Sequence, residues 1–203
     1  MTPKNIDKVF ESFRKNYKVV PLEIFGSNPY KTLISTLLSA RTRDNLTLKI
    51  SNKLFLKAKN LKTLGQLEIS VIEKLIYPVG FYKTKAKHLK NLAKKVLNDF
   101  KGKIPNTRDE LVRLPGVGRK TANLVLNRAF GIPAIAVDTH VHRISNLLGW
   151  VKTKTPSETE KELIYIIPKK YWSDMNKLFV SIGQQHRSER QLREFLKKNN
   201  LVQ

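Results

Sequence analysis

Lys120 and Asp138 are the residues whose types and surroundings best support covalent chemistry. Lys120 follows Leu114-Pro115-Gly116-Val117-Gly118-Arg119, and from Arg119 to Phe130 the residues Ala122, Leu124, Val125, Leu126 and Ala129 recur at helical spacing. The pattern predicts a helix entered through a glycine hairpin. Gly116 and Gly118 lack a Cβ, so the backbone there can take positive φ and approach another molecule closely. Amides at a helix N-terminus suit a phosphate oxygen. The positive end of the helix dipole disfavours a cation in the first turn, and an uncharged amine on Lys120 would be a nucleophile. Gly131 and Pro133 should end this helix. Ile132 to Val137 then runs extended into Asp138-Thr139, which opens an amphipathic helix with Val141, Ile144, Leu147 and Leu148 on one face and Asp138 placed as its cap.

Each residue alone has a plainer reading, a solvated lysine and an N-cap aspartate. A lysine, a phosphate-binding hairpin and a carboxylate within one short segment of a basic chain favour a site instead. With 39 Lys+Arg against 16 Asp+Glu the net charge is +23, which implies a polyanionic partner, nucleic acid first. A hydrophobic content of 40%, with basic residues spread along periodic segments, argues against a disordered basic tail. No apolar run approaches the roughly 18 residues of a membrane span, and MTPKNIDKVF has no signal-peptide stretch, so no membrane association and an intracellular location with the DNA are expected. Cysteine is absent, which excludes disulfides, thiolate nucleophiles and cysteine-held zinc or iron–sulfur sites.

The elements that must position these residues read as helices throughout. Thr2 and Pro3 open the first, with Ile6, Val9, Phe10, Phe13 and Tyr17 as its stripe, and Asn28-Pro29 open the second. A third follows Asp44, a shorter one carries Val71 to Ile76, and a long one runs from Leu89 past Phe100 to Gly102. Thr107 with Glu110, Thr155 with Glu158 and Ser188 with Gln191 have capping-box spacing. Glu158, Glu160 and Glu162 are expected in the acidic first turns of a surface helix. Trp150, Tyr171 and Trp172 are assigned to the core. His140 and His142 would point to different helix faces, and His88 and His186 have no partner nearby in sequence, so no metal site is predicted. The fold class is all-α.

LPGVGRKTA (114–122), AVDTH (136–140), LLSARTRD (37–44) and VGFYKTKA (79–86) occur in the order found in the endonuclease III branch of the helix-hairpin-helix (HhH-GPD) DNA glycosylases, and the chain resembles that family from about residue 30 to 148. The resemblance implies two helical domains flanking a DNA-binding cleft: a central helical-barrel domain over 22–133 containing the hairpin motif at 107–130, and a second helical domain made of 1–21 plus 134–203. It implies a bifunctional glycosylase and AP lyase for double-stranded DNA with damaged bases or abasic sites, removing oxidised pyrimidines and nicking by β-elimination through a lysine Schiff base. Catalysis falls to Lys120 and Asp138. DNA contacts fall to Arg41, Phe81, Leu114, Gly116, Val117, Gly118, Arg119, Thr121 and His140. Arg41 and Phe81 stand where the family commonly has a glutamine and a leucine that fill the gap left by the extruded base; without the resemblance, Phe81 reads equally well as a core aromatic.

The sharpest departure is the missing set of four cysteines that usually binds a [4Fe-4S] cluster. The corresponding segment, SIGQQHRSERQLREFLKKNNLVQ, predicts a plain helix in place of the cluster loop, hence no cofactor, with Leu192, Phe195 and Leu196 as its apolar face. A monomer is expected. The alternatives keep the fold but take oxidised guanine or mismatched uracil or thymine as substrate, or keep only the hairpin as a non-catalytic DNA clamp.

Overall fold

The computed structural model describes residues 2–202, and no strand occurs among them. The chain divides into two compact units, one of Pro21–Ile132 and one joining the residues up to Val20 to those from Pro133 onward.

In the first unit a 3-10 turn (Pro21–Phe25) leads into α2 (Pro29–Ser39), α3 (Asp44–Lys57), α4 (Leu61–Gln66), α5 (Ile69–Ile76), α6 (Tyr82–Asp99), α7 (Arg108–Leu111) and α8 (Arg119–Phe130), while α1 (Ile6–Lys15) belongs to the other unit. Asn28 caps α2 by accepting from the Lys31 amide, with Pro29 at the first helical position as expected. Leu33, Ile34, Leu38, Leu54, Ile72, Leu89, Leu92, Val96 and Val125 are buried as the core. Helix α8 lies against α2. Its C-terminal end is held by Arg128, which pairs with Glu23 at 2.6 Å, and is closed by Gly131 in the left-handed region (φ 65°).

The second unit holds α1, α9 (Thr139–Leu147), α10 (Pro156–Ile166), a 3-10 turn (Lys169–Tyr171), α11 (Trp172–Gln185) and α12 (Glu189–Lys198). Phe10 is fully buried and stacks on Tyr171 at 4.2 Å, with Trp150, Phe13 and Phe179 around it, so Trp150 and Tyr171 are core residues as expected. Truncating such an aromatic costs about 3–5 kcal/mol. Capping boxes close the N-termini of α10 (Thr155, Glu158) and α12 (Ser188, Gln191).

Several expectations need correction. Helix α1 starts at Ile6 behind Asn5 rather than at Thr2-Pro3, and Tyr17 lies past its end. Helix α4, capped reciprocally by Asn60 and Thr63, has no periodic signature in the sequence, because its six residues are too few to show one. At Thr107 only half of the capping box forms: the hydroxyl accepts from the Glu110 amide but donates to the Glu110 carboxylate, in a helix of four residues. Glu160 is buried, not on a surface turn, because α10 turns that position inward beside Thr159 and Leu163.

Candidate active site

The hairpin is built by apolar anchors on either side of a glycine turn. Leu111 and Leu114 are buried, the Leu114 amide donates to Leu111 O, and the Val117 amide donates back to Leu114 O at 3.1 Å. Gly116, at φ 80°, makes the reversal possible, and a Cβ there would stand 2.8 Å from His88 Nδ1 and 2.9 Å from Leu37 Cδ2. The His88 ring therefore packs against the hairpin turn at Gly116, a neighbour far from it in sequence. Gly118 differs from the expectation: its φ is −95° and ψ 175°, ordinary extended backbone for an N-cap. A Cβ there would meet nothing within 4 Å.

Beyond Gly118 the first two residues of α8 are Arg119 and Lys120, both exposed, with no acidic residue in that first turn. Two cations at the positive end of a helix dipole oppose local helix stability. Such local conflict marks a functional position more readily than a structural one. Thr121 is partly buried. The side chains of Leu114 and Val117 are buried, so these two candidates can offer a ligand only their main chain, and the Val117 amide is already used. The exposed backbone at Gly116 and Gly118 is what remains open to a phosphate.

Arg41 and Phe81 come together within the same unit, the guanidinium 5.2 Å from the ring centroid. Both have left-handed backbone, φ 55° and 59°. Phe81 is 61% exposed, which excludes the core reading. Lys85, one turn further along α6, is a functional candidate that sequence reasoning missed. It is 6% exposed, and burial lowers its amine from the ordinary 10.5 to about 8. Its place four residues before Leu89 puts it on the buried stripe of α6, but nothing in the sequence shows which groups a lysine there would bond.

In the other unit Asp138 caps α9, with both bonds on one oxygen: Oδ1 accepts from the His140 and Val141 amides, each at 2.9 Å. Oδ2 takes neither cap bond. The carboxylate is half-buried, and the His140 ring packs on Gly183 of α11.

The segment after α11 does not fit a thiolate-held cluster. The sequence has no cysteine, and among the described residues no group of three or more His, Asp or Glu could hold a metal. Leu192 and Leu196 of α12 are buried instead, and Arg143 from α9 donates to the carbonyls of His186 and Arg187. Among the described residues no helix is long and apolar enough to cross a membrane.

Residues 34–169 match the family described as HhH-GPD superfamily base excision DNA repair protein, which gives the class. Endonuclease III of Thermotoga maritima is 42% identical over 177 residues, covering 87% of this chain and 80% of that protein. A non-covalent endonuclease III–DNA complex superposes with a TM-score of 0.84 at 36% identity, covering 94% of this chain and 89% of that one. A trapped covalent endonuclease III–DNA intermediate gives 0.81 at 35% identity, with 94% and 90% covered. The chain belongs to the endonuclease III family of base-excision repair DNA glycosylases.

Proposed function

We propose that this chain removes damaged bases, oxidised pyrimidines first, from double-stranded DNA and then nicks the strand at the resulting abasic site. The observation that carries the reading is Lys120: an exposed amine in the first turn of α8, next to the open backbone of Gly116 and Gly118 and in a setting that helix stability disfavours. The existence of an endonuclease III caught as a covalent intermediate on DNA supports a nucleophile of this kind in the family.

The hairpin amides at Gly116 and Gly118 grip a phosphate, and Arg119 and Thr121 add donors to the strand. The damaged base leaves the stack, at a cost of about a few kcal/mol that is least for a poorly paired base, and Arg41 and Phe81 enter the space. As the N-glycosidic bond breaks, positive charge develops on the sugar, and the carboxylate of Asp138 stabilises it. The Lys120 amine forms a bond to C1′ and the base departs with a proton. Opening of the sugar ring gives an imine. Loss of a proton from C2′ then expels the 3′ phosphate by β-elimination, and water hydrolyses the imine to free Lys120. An amine and a carboxylate suffice for every step, so neither a metal nor a cluster is part of the proposal. The protein acts as a monomer inside the cell, on the DNA.

Borohydride trapping on duplex DNA holding an abasic site tests this directly. The wild-type chain should yield a covalent adduct, and Lys120→Ala should yield none while keeping its fold and its DNA affinity. Full adduct formation by Lys120→Ala, or none by the wild type, would refute the assignment.

A further inference from the structure

Arg41 and Phe81 sit on different loops, each in a backbone region that a bulky side chain rarely adopts. Strain of that kind persists only where neighbours over-determine it. Three ties hold the two loops. Gly80 packs backbone to backbone against Arg41, since a Cβ on it would lie 2.6 Å from Arg41 O. The Gly80 amide donates to Thr42 Oγ1 at 3.1 Å. The Lys85 amine donates to Leu38 O at 2.8 Å and Ala40 O at 2.6 Å.

The last tie is the telling one. Phe81 is the N-cap of α6, and the Lys85 amide donates to Phe81 O at 3.0 Å, so Lys85 belongs to the first turn behind Phe81. Its side chain reaches the other way, to the end of α2 just before Arg41. Helix ends leave carbonyls without partners, and a left-handed glycine commonly closes them. Here the sequence is Ala40-Arg41-Thr42, with no glycine, and a buried ammonium does the capping. A lysine is costly to bury, and this chain has abundant surface for one.

We propose that Lys85 is a positioning residue for base extrusion: by capping α2 from the helix that carries Phe81, it holds Arg41 and Phe81 together as one preassembled probe of the duplex. The inference rests on the glycosylase reading above and on the gap-filling role given there to Arg41 and Phe81. Preassembly matters because displacing a group by about 1 Å can cost on the order of 100-fold in rate. A preformed abasic site has no base to extrude, so it should need the probe far less.

The test compares two reactions in one preparation of the full chain, with folding checked by thermal melting: single-turnover excision of an oxidised pyrimidine from duplex DNA, and borohydride trapping on a duplex with a preformed abasic site. Lys85→Met should slow excision by about 10-fold or more while trapping stays within about 3-fold. Phe81→Ala should slow excision as well, and the double variant should be slowed by clearly less than the product of the two single effects, because both act through one probe. Should Lys85→Met fail to fold, Lys85→Gln, which keeps N–H donors but reaches less far, serves in its place with the same ratio read. A ratio of excision to trapping equal to that of the wild type, or effects of Lys85 and Phe81 that multiply, would overturn the proposal. If the wild-type chain neither excises nor traps, the glycosylase reading falls and this proposal with it. If the wild type does both, a negative result with Lys85 counts against the proposal alone.

Discussion

Alanine at the two hairpin glycines should separate what the turn needs to fold from what it offers to DNA. At Gly116, φ is 80°, where alanine costs about 1–2 kcal/mol. The added Cβ would also press to 2.8 Å from His88 Nδ1 and 2.9 Å from Leu37 Cδ2, and overpacking of this kind costs about 1–3 kcal/mol. Both terms act together, so Gly116→Ala should lose about 2–5 kcal/mol, or roughly 5–15 °C in Tm for a chain of this size. At Gly118 neither term applies: the backbone is extended and nothing lies within 4 Å of the new Cβ. Gly118→Ala should stay within about 1 kcal/mol of wild type, the scale of an N-cap change. The methyl nevertheless projects from the exposed backbone assigned to phosphate, so affinity for abasic duplex should fall about 10-fold, near 1.4 kcal/mol. Thermal melting and fluorescence anisotropy on both variants decide the matter. Equal destabilisation by the two changes would refute the packing argument, and undiminished DNA affinity of Gly118→Ala would refute the phosphate assignment.

Other perturbations follow the same logic. Asp138→Ala removes both cap bonds of α9 and should cost about 0.5–2 kcal/mol, whereas Asp138→Asn keeps an oxygen acceptor and should cost a few tenths. Both should impair excision severely, and wild-type excision by the asparagine variant would remove the electrostatic role. With a net charge of +23, affinity for duplex DNA should fall linearly on a log-log salt plot with a slope near −0.9 per phosphate contacted, and a flat plot would contradict nucleic acid as partner. Lys85 makes stability depend on pH. Its folded value of about 8 lies below the ordinary 10.5, so between those limits the unfolded chain binds more protons and stability rises with pH. The gain, about 3 kcal/mol, is complete above 10.5 and lost as pH falls through 8. Urea unfolding of wild type minus Lys85→Met should climb across that window, and a level difference would show that the amine is solvated.

What could be read from the sequence was local. Asn28-Pro29, Thr155 with Glu158 and Ser188 with Gln191 announce helix starts because a cap is made within four residues. The hairpin was readable for the same reason, as was the end of α8 at Gly131. Asn5 makes no side-chain cap bond, so nothing local in the sequence marks the start of α1 there. Polar residues turned inward were harder. Glu160 has the spacing of an acidic first turn, and only its placement in the finished α10 buries it.

Lys85 shows why such residues escape. Its acceptors, Leu38 O and Ala40 O, are main-chain atoms more than forty residues away, and no side-chain pattern encodes an orphan carbonyl. The positive φ of Arg41 and of Phe81 is likewise invisible locally, because neither residue type favours that region. The two observations have one cause. Where a chain departs from local preference, some distant group must compensate, and the compensation is seen only once both partners are in place. In the Pro21–Ile132 unit three such departures, two strained backbones and one buried amine, meet at the ends of α2 and α6. A purely structural joint would gain nothing by exposing Phe81 at that point, since burying the ring would stabilise the fold by about 1.5–3 kcal/mol. The exposed ring on a strained and clamped backbone is therefore better explained by what it meets outside the protein than by anything inside it.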